Sequence, residues 1–139
     1  MIQRIQTLWL ALASMAALAT LRFSFFSGNK LDTNQAKGFH ELTATSNYLL
    51  LILTAGIGVC SLIVIFLYKN RRLQFRLTIL ALLLSLLNIF LYYRETLAYA
   101  EGNFTITAIL TLLIPIFLFL ASRGIYKDEK LIKSADRLR

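Results

Sequence analysis

The chain is poor in the residues from which catalytic and metal sites are built. Its 139 residues hold one histidine, one cysteine and seven acids. The lone Cys60 excludes an internal disulfide and a cysteine-based zinc site. One proline and six glycines leave little room for long irregular structure. Charged residues make up 16%, against roughly 25% in soluble domains. There is no glycine-rich phosphate loop, no HExxH and no GxSxG. Hydrophobic residues fill the gap at 58%, above the ~45–50% of soluble domains. The length sets one domain as the ceiling.

Four stretches carry this excess. Crossing a hydrocarbon core about 30 Å thick takes ~17–25 helical residues. "IQTLWLALASMAALATL" opens the first span, which Arg22 and the aromatic "RFSFF" extend through the headgroups to give 5–26. "YLLLILTAGIGVCSLIVIFLY" gives 48–68, with a tyrosine at each end. "LTILALLLSLLNIFLYY" gives 77–93, and "FTITAILTLLIPIFLFLAS" gives 104–122. No charge interrupts their central runs, where each would cost at least ~2.5 kcal/mol. A soluble bundle needs a polar face at every turn. The third stretch has only Thr78, Ser85 and Asn88. A cleaved leader is the rival for the first stretch: "MIQR" is a basic start, and Ala17–Ala19 resembles a cleavage site. The reading taken is a retained span. The expected class is all-α: an integral membrane four-helix up-down-up-down bundle at 1–123, then a cytoplasmic amphipathic tail at 124–139.

Basic residues set the orientation. Eleven lie at the end bearing both termini: Arg4, four in "KNRRLQFR" and six in the tail. Only Arg22, Lys30, Lys37 and Arg94 lie at the other end. Positive residues concentrate on the cytoplasmic side, so both termini are expected there. The net charge of +8 then reflects topology and affinity for anionic lipid, and need not imply nucleic acid.

Within lipid, helices associate through small residues and hydrogen bonds. Gly56-xxx-Cys60, Ala13-xxx-Ala17 and Ala81-xxx-Ser85 are the candidate contacts. Pro115 frees the carbonyl of Thr111 and should kink the fourth helix, as a packing shape or as a hinge. Asn88 is expected to bond across helices, the alternative being a transport path. An acid–base or metal site would need His40, Glu41, Glu95 and Glu101 brought together from two outer loops; a solvated surface explains the same residues. Asn103 opens a sequon but reads as a helix cap. Catalytic residues, metals and cofactors are therefore expected to be absent.

The tail "SRGIYKDEKLIKSADRLR" packs nine charges into eighteen residues. On a helix, Leu131, Ala135 and Leu138 share one face, and Lys130, Lys133 and Arg137 take the other. Glu129 and Lys133 stand i, i+4 in the favourable order. Such a helix suits the lipid surface or a groove on another protein, with a solvated end as the third reading. Asp128, Glu129 and Asp136 dilute the basic patch and favour a protein partner. Tyr126 alone is too little aromatic interleaving for RNA, and nothing points to DNA.

"MIQRIQTLWL" together with "RGIYKDEKLIKSADRLR" resembles an uncharacterised family of small four-span inner-membrane proteins from one group of Gram-negative bacteria, defined only as a domain of unknown function. The resemblance implies Arg4, Arg123, Gly124, Lys127, Asp128, Glu129, Ser134, Asp136, Arg137 and Arg139 as signature positions, and implies no activity. With Lys130, Leu131 and Leu138 from the tail helix, these form the expected partner-binding set. Arg4 is expected to dock on Asp128 or Glu129. The function expected is a non-enzymatic accessory subunit or assembly factor of a larger membrane complex. A small oligomeric carrier or channel for an ion or lipid is the alternative.

Overall fold

The structure is a computed structural model that describes the backbone at 2–31 and 37–137 and the side chains at 5–29 and 38–134. Four helices dominate: α1 (Ile2–Ala19), α2 (Tyr48–Phe66), α3 (Arg71–Thr96) and α4 (Ala108–Arg137). Three strands, β1 (Phe26–Leu31), β2 (Lys37–Leu42) and β3 (Tyr99–Phe104), occupy the connections after α1 and α3. α1 packs on α2 and α4, and α3 packs on the same two helices.

Three helices are long and apolar enough to cross a membrane: Tyr48–Phe66, Arg71–Thr96 and Ala108–Ser134. The apolar stretch of α1, Ile5–Ala19, is shorter. The expected first span of 5–26 is thus cut back. Thr20 Oγ1 donates to the Ala17 carbonyl at 2.7 Å, and Leu21 N–H reaches Leu18 O at 3.2 Å, closing α1 in a tightened turn. "RFSFF" leaves the helix because strands supply its backbone partners: Phe25 N–H donates to Leu42 O, and Phe25 O accepts from Thr105 N–H.

The all-α expectation is corrected by the sheet, ordered β2-β1-β3 and antiparallel throughout. The loops hold polar residues with no clear alternation, so periodicity does not announce strands. Backbone groups beside an apolar surface still need partners, and a hairpin with a third strand supplies them. Aromatic rings clamp the sheet to the helices. Phe25 lies 4.6 Å from Tyr92 between ring centroids, and Phe26 meets Phe104 edge-on at 5.3 Å. Phe25, Phe26 and Tyr92 join Leu42, Ala44, Leu50 and Ala108 in a small second core. Asn103 pairs with Ser27 in β3 and caps no helix; α4 begins only at Ala108.

The helices are packed inside out. The buried residues of α3 are Gln74, Thr78, Ala81, Ser85, Asn88, Tyr92 and Thr96, spaced three or four apart. Leu80, Leu83, Leu86, Leu87 and Phe90 face outward, with Leu80, Leu83 and Phe90 at 50–58% exposure. Water would penalise every such side chain at roughly 25 cal/mol per Å². Lipid would not, and it would penalise the polar stripe instead. The stripe is satisfied largely from within: Thr78 Oγ1 donates to Gln74 O at 2.8 Å and Ser85 Oγ to Leu82 O at 2.7 Å. Length, composition and this polarity mark a membrane protein.

Candidate functional site

The site with most chemistry lies where the α2–α3 turn meets the last turns of α4. Asn70 starts α3 without a side-chain cap, and Arg71 and Arg72 follow at once. α4 runs past Pro115 and Gly124 without a break. Its buried positions continue from Leu118 through Ala121, Ser122 and Ile125 to Asp128, so the tail extends the packed face. Arg71 Nη1 stands 3.4 Å from Asp128 Oδ2. Glu129 Oε1 takes Lys133 Nζ at 2.8 Å and Arg72 Nε at 3.8 Å. Gln74 Nε2 donates to Val64 O at 3.2 Å, tying α3 to the end of α2. An open groove of ≈ 670 Å³ remains between these elements, lined by Lys69, Arg71, Arg72, Arg76 and Lys133, with Leu73 and Ile132 as apolar walls.

Asp128 and Glu129 face the α2–α3 turn, where Arg71 and Arg72 stand against them. The side chain of Arg4, and those of Asp136, Arg137, Leu138 and Arg139, lie outside the described residues. The start of α1 still touches the tail. A Cβ on Gly124 would come within 2.7 Å of Gln6 Cγ, and Gln6 is only 4% exposed. Gly124 is therefore a close-approach residue. Arg123, Lys127, Lys130, Leu131 and Ser134 are exposed on the outer side of this segment. Ser134 Oγ turns back to Leu131 O at 2.7 Å.

Inside the bundle, Asn88 is 1% exposed and its Nδ2 donates to Thr54 Oγ1 at 3.1 Å, the expected bond across helices. Tyr92 is buried beside it. Among the described residues, Asn88 Oδ1 has no hydrogen-bond partner, and no well-formed hydrogen bond reaches the Tyr92 hydroxyl. Thr111 is buried and Pro115 half-buried. The packing role expected of Gly56 is corrected: it is exposed, and nothing lies within 4 Å of a Cβ placed there. Gly58 makes the contact instead. It lies against Leu18 and Ala17, and its carbonyl accepts from Ser14 Oγ at 3.1 Å.

The outer constellation is dispersed. His40 stands opposite Gly28 in β2, and Gly28 stands opposite Gly102 in β3. Two strand spacings of about 4.8 Å thus separate the strand of His40 and Glu41 from that of Glu101. Glu95 accepts from Asn47 Nδ2 at 2.8 Å. Burial pushes the Tyr99 hydroxyl pKa up, and the nearby Glu95 charge adds to it. Among the described residues, no three of His, Cys, Asp and Glu gather to hold a metal.

The reading of "KNRRLQFR" as a topology signal alone passes over Lys69, Arg71, Arg72 and Arg76 as site residues. A usable signal was present: this cationic turn and the "KDEK" of the tail fall at the same end of the chain's expected topology. Opposite charges confined to one membrane face tend to pair. Gln6 and Gln74 carried no such signal, since a single glutamine at the end of a span reads as interfacial.

Comparison with curated proteins and with solved structures finds no match. A family model described as a domain of unknown function, DUF4293, matches residues 2–138. With all but its two terminal residues inside that match, the chain belongs to the DUF4293 family.

Proposed function

We propose that this protein is a non-enzymatic accessory subunit or assembly factor of a larger bacterial inner-membrane complex. In this reading the helices form an up-down-up-down bundle in the membrane. Both termini and the α2–α3 turn face the cytoplasm, and the outer sheet lies on the far side. The distribution of basic residues supports that orientation. One observation carries the functional reading: α4 stays packed on the bundle as far as Asp128, well beyond its apolar run. Asp128 is 7% exposed against Arg71, while Lys127, Lys130 and Leu131 point away from the bundle. A segment held rigid on one side with mixed charge and leucine on the other is a preorganised binding face.

The test is co-purification of the tagged protein in mild detergent. The triple variant Lys127→Glu, Lys130→Glu, Leu131→Glu should lose a stoichiometric partner and keep the wild-type melting temperature. An unchanged set of co-purifying proteins, or none with either form, contradicts the proposal.

The buried Thr54–Asn88–Tyr92 cluster favours a second reading, a small oligomeric carrier or channel for an ion or lipid. Two polar atoms that lack a well-formed hydrogen bond among the described residues are costly in a membrane interior unless something occupies them. Asn88→Leu with Thr111→Leu separates the readings: a carrier loses flux, whereas a scaffold keeps its partner.

A further inference from the structure

We infer that the groove between the α2–α3 turn and the end of α4 is a headgroup site for an anionic phospholipid, with the lipid phosphate as the group recognised. Positive residues at a membrane surface serve topology by number alone. These are concentrated in one concavity. Lys69, Arg71, Arg72 and Arg76 come from the turn and the start of α3, and Lys133 comes from α4. Among the described residues, Glu129 is the one acid in the lining.

The ion pairs leave charge over. Asp128 engages Arg71, and Glu129 is shared by Arg72 and Lys133. Lys69 and Arg76 make no ion pair among the described residues, and both are exposed. A second feature points to the same ligand. Asn70, Arg71, Arg72 and Leu73 line the groove and are also the first residues of α3, whose Asn70 side chain makes no capping bond. Uncapped amides at a helix start favour a phosphate oxygen.

The source of the phosphate follows from the walls. Leu73 and Ile132 border the groove at 44% and 43% exposure. Both are exposed, and Leu73, seven residues before the exposed Leu80, continues the outward apolar face of α3, where acyl chains lie in this reading. A soluble phosphate gains nothing from them; a glycerophospholipid covers both walls while its phosphodiester meets the cations. The volume of ≈ 670 Å³ admits a headgroup with its glycerol. This site rests on the membrane reading above, not on the partner reading.

The experiment uses the full-length protein in an uncharged detergent. Phosphatidylglycerol and phosphatidylcholine are added separately, and retained lipid is counted by native mass spectrometry. The wild type should hold phosphatidylglycerol and release phosphatidylcholine. Lys69→Gln with Arg76→Gln should bind phosphatidylglycerol on the order of 30-fold more weakly, at about fivefold for each charge lost. Neither residue holds the tail, so the melting temperature without lipid should not change; Arg76→Gln alone gives a smaller loss in the same direction.

Arg22→Gln with Arg94→Gln removes the same charge at the sheet end and should bind as the wild type does. Three results overturn the site: a groove variant that does not differ from wild type, a sheet-end variant that loses as much, or complete displacement of the lipid by sodium phosphate, which refutes the lipid source. A protein that inserts but retains both lipids equally refutes this site alone. A protein that associates with neither lipid nor membrane refutes the membrane reading as well.

Discussion

Replacing Arg71 with alanine should cost the folded protein about 3 kcal/mol and release the end of α4 from the α2–α3 turn. Asp128 has a side-chain exposure of 9%, and its partner stands at 31%. Removing the arginine leaves a carboxylate in a site too dry to solvate it. Breaking a buried pair typically costs ~3–5 kcal/mol, and the partial exposure of Arg71 places this one at the lower end. The fault lies in the stranded charge, so Asp128→Asn in the same chain should recover most of the loss. The double variant should also be better than Arg71→Ala with Asp128 intact. Thermal unfolding in detergent reads the stability. Limited proteolysis reads the tail, with faster cleavage after Lys127 and Lys130 in Arg71→Ala. An Arg71→Ala protein as stable as the wild type, with a tail no more open to protease, would show that the pair does not anchor α4.

The second large effect belongs to Gly124. Here α1 and α4 approach so closely that an alanine methyl would overlap Gln6 Cγ by several tenths of an ångström. Alanine gains ~1 kcal/mol of helix propensity over glycine, which offsets part of the ~1–3 kcal/mol of overpacking. Valine has no such offset, because its branched side chain must enter the same contact. Gly124→Val should therefore destabilise by about 3 kcal/mol, and Gly124→Ala by about 1 kcal/mol or less. Gln6→Ala should rescue Gly124→Val, since it removes the obstructing side chain together with a buried amide nitrogen that has no partner among the described residues. A double-mutant cycle on positions 6 and 124 should show a coupling of about 1–2 kcal/mol. Additive effects would mean that the helices do not meet there.

Much of this architecture was legible in the residues. α2, α3 and α4 stand out because their apolar runs are too long and too uniform for a soluble helix. The uniformity that reveals a span also hides its rotation. "YLLLILTAGIGVCSLIVIFLY" is apolar on every side, so only its small and polar residues say which face turns inward. Gly56 and Gly58 compete for that role. Gly58 takes it because it shares a face with Thr54 and Ser61, four and three residues away. α3 was clearer: Thr78, Ser85 and Asn88 are its interior polar residues, and all three are buried.

Three features escaped the sequence for physical reasons. α1 ends before "RFSFF" because those aromatics find strand and ring partners that are distant in the chain. The sheet has no alternating pattern, because Gly28 and Gly102 sit where backbones or rings pass too close for a side chain. The acids of the tail were visible as docking groups, but several cations at one end of the bundle could have received them. Only the three-dimensional register of α4 against α3 selects Arg71 and Arg72.

The central claim is a membrane-embedded bundle with its sheet on one side and its cationic groove and tail on the other. Single cysteines at positions 39, 69 and 130, placed in a Cys60→Ser background, test it directly. All three residues are exposed. In intact cells with a permeable outer membrane, an impermeant maleimide should label position 39 and spare 69 and 130 until the inner membrane is opened. Labelling of all three from the same side would contradict the account.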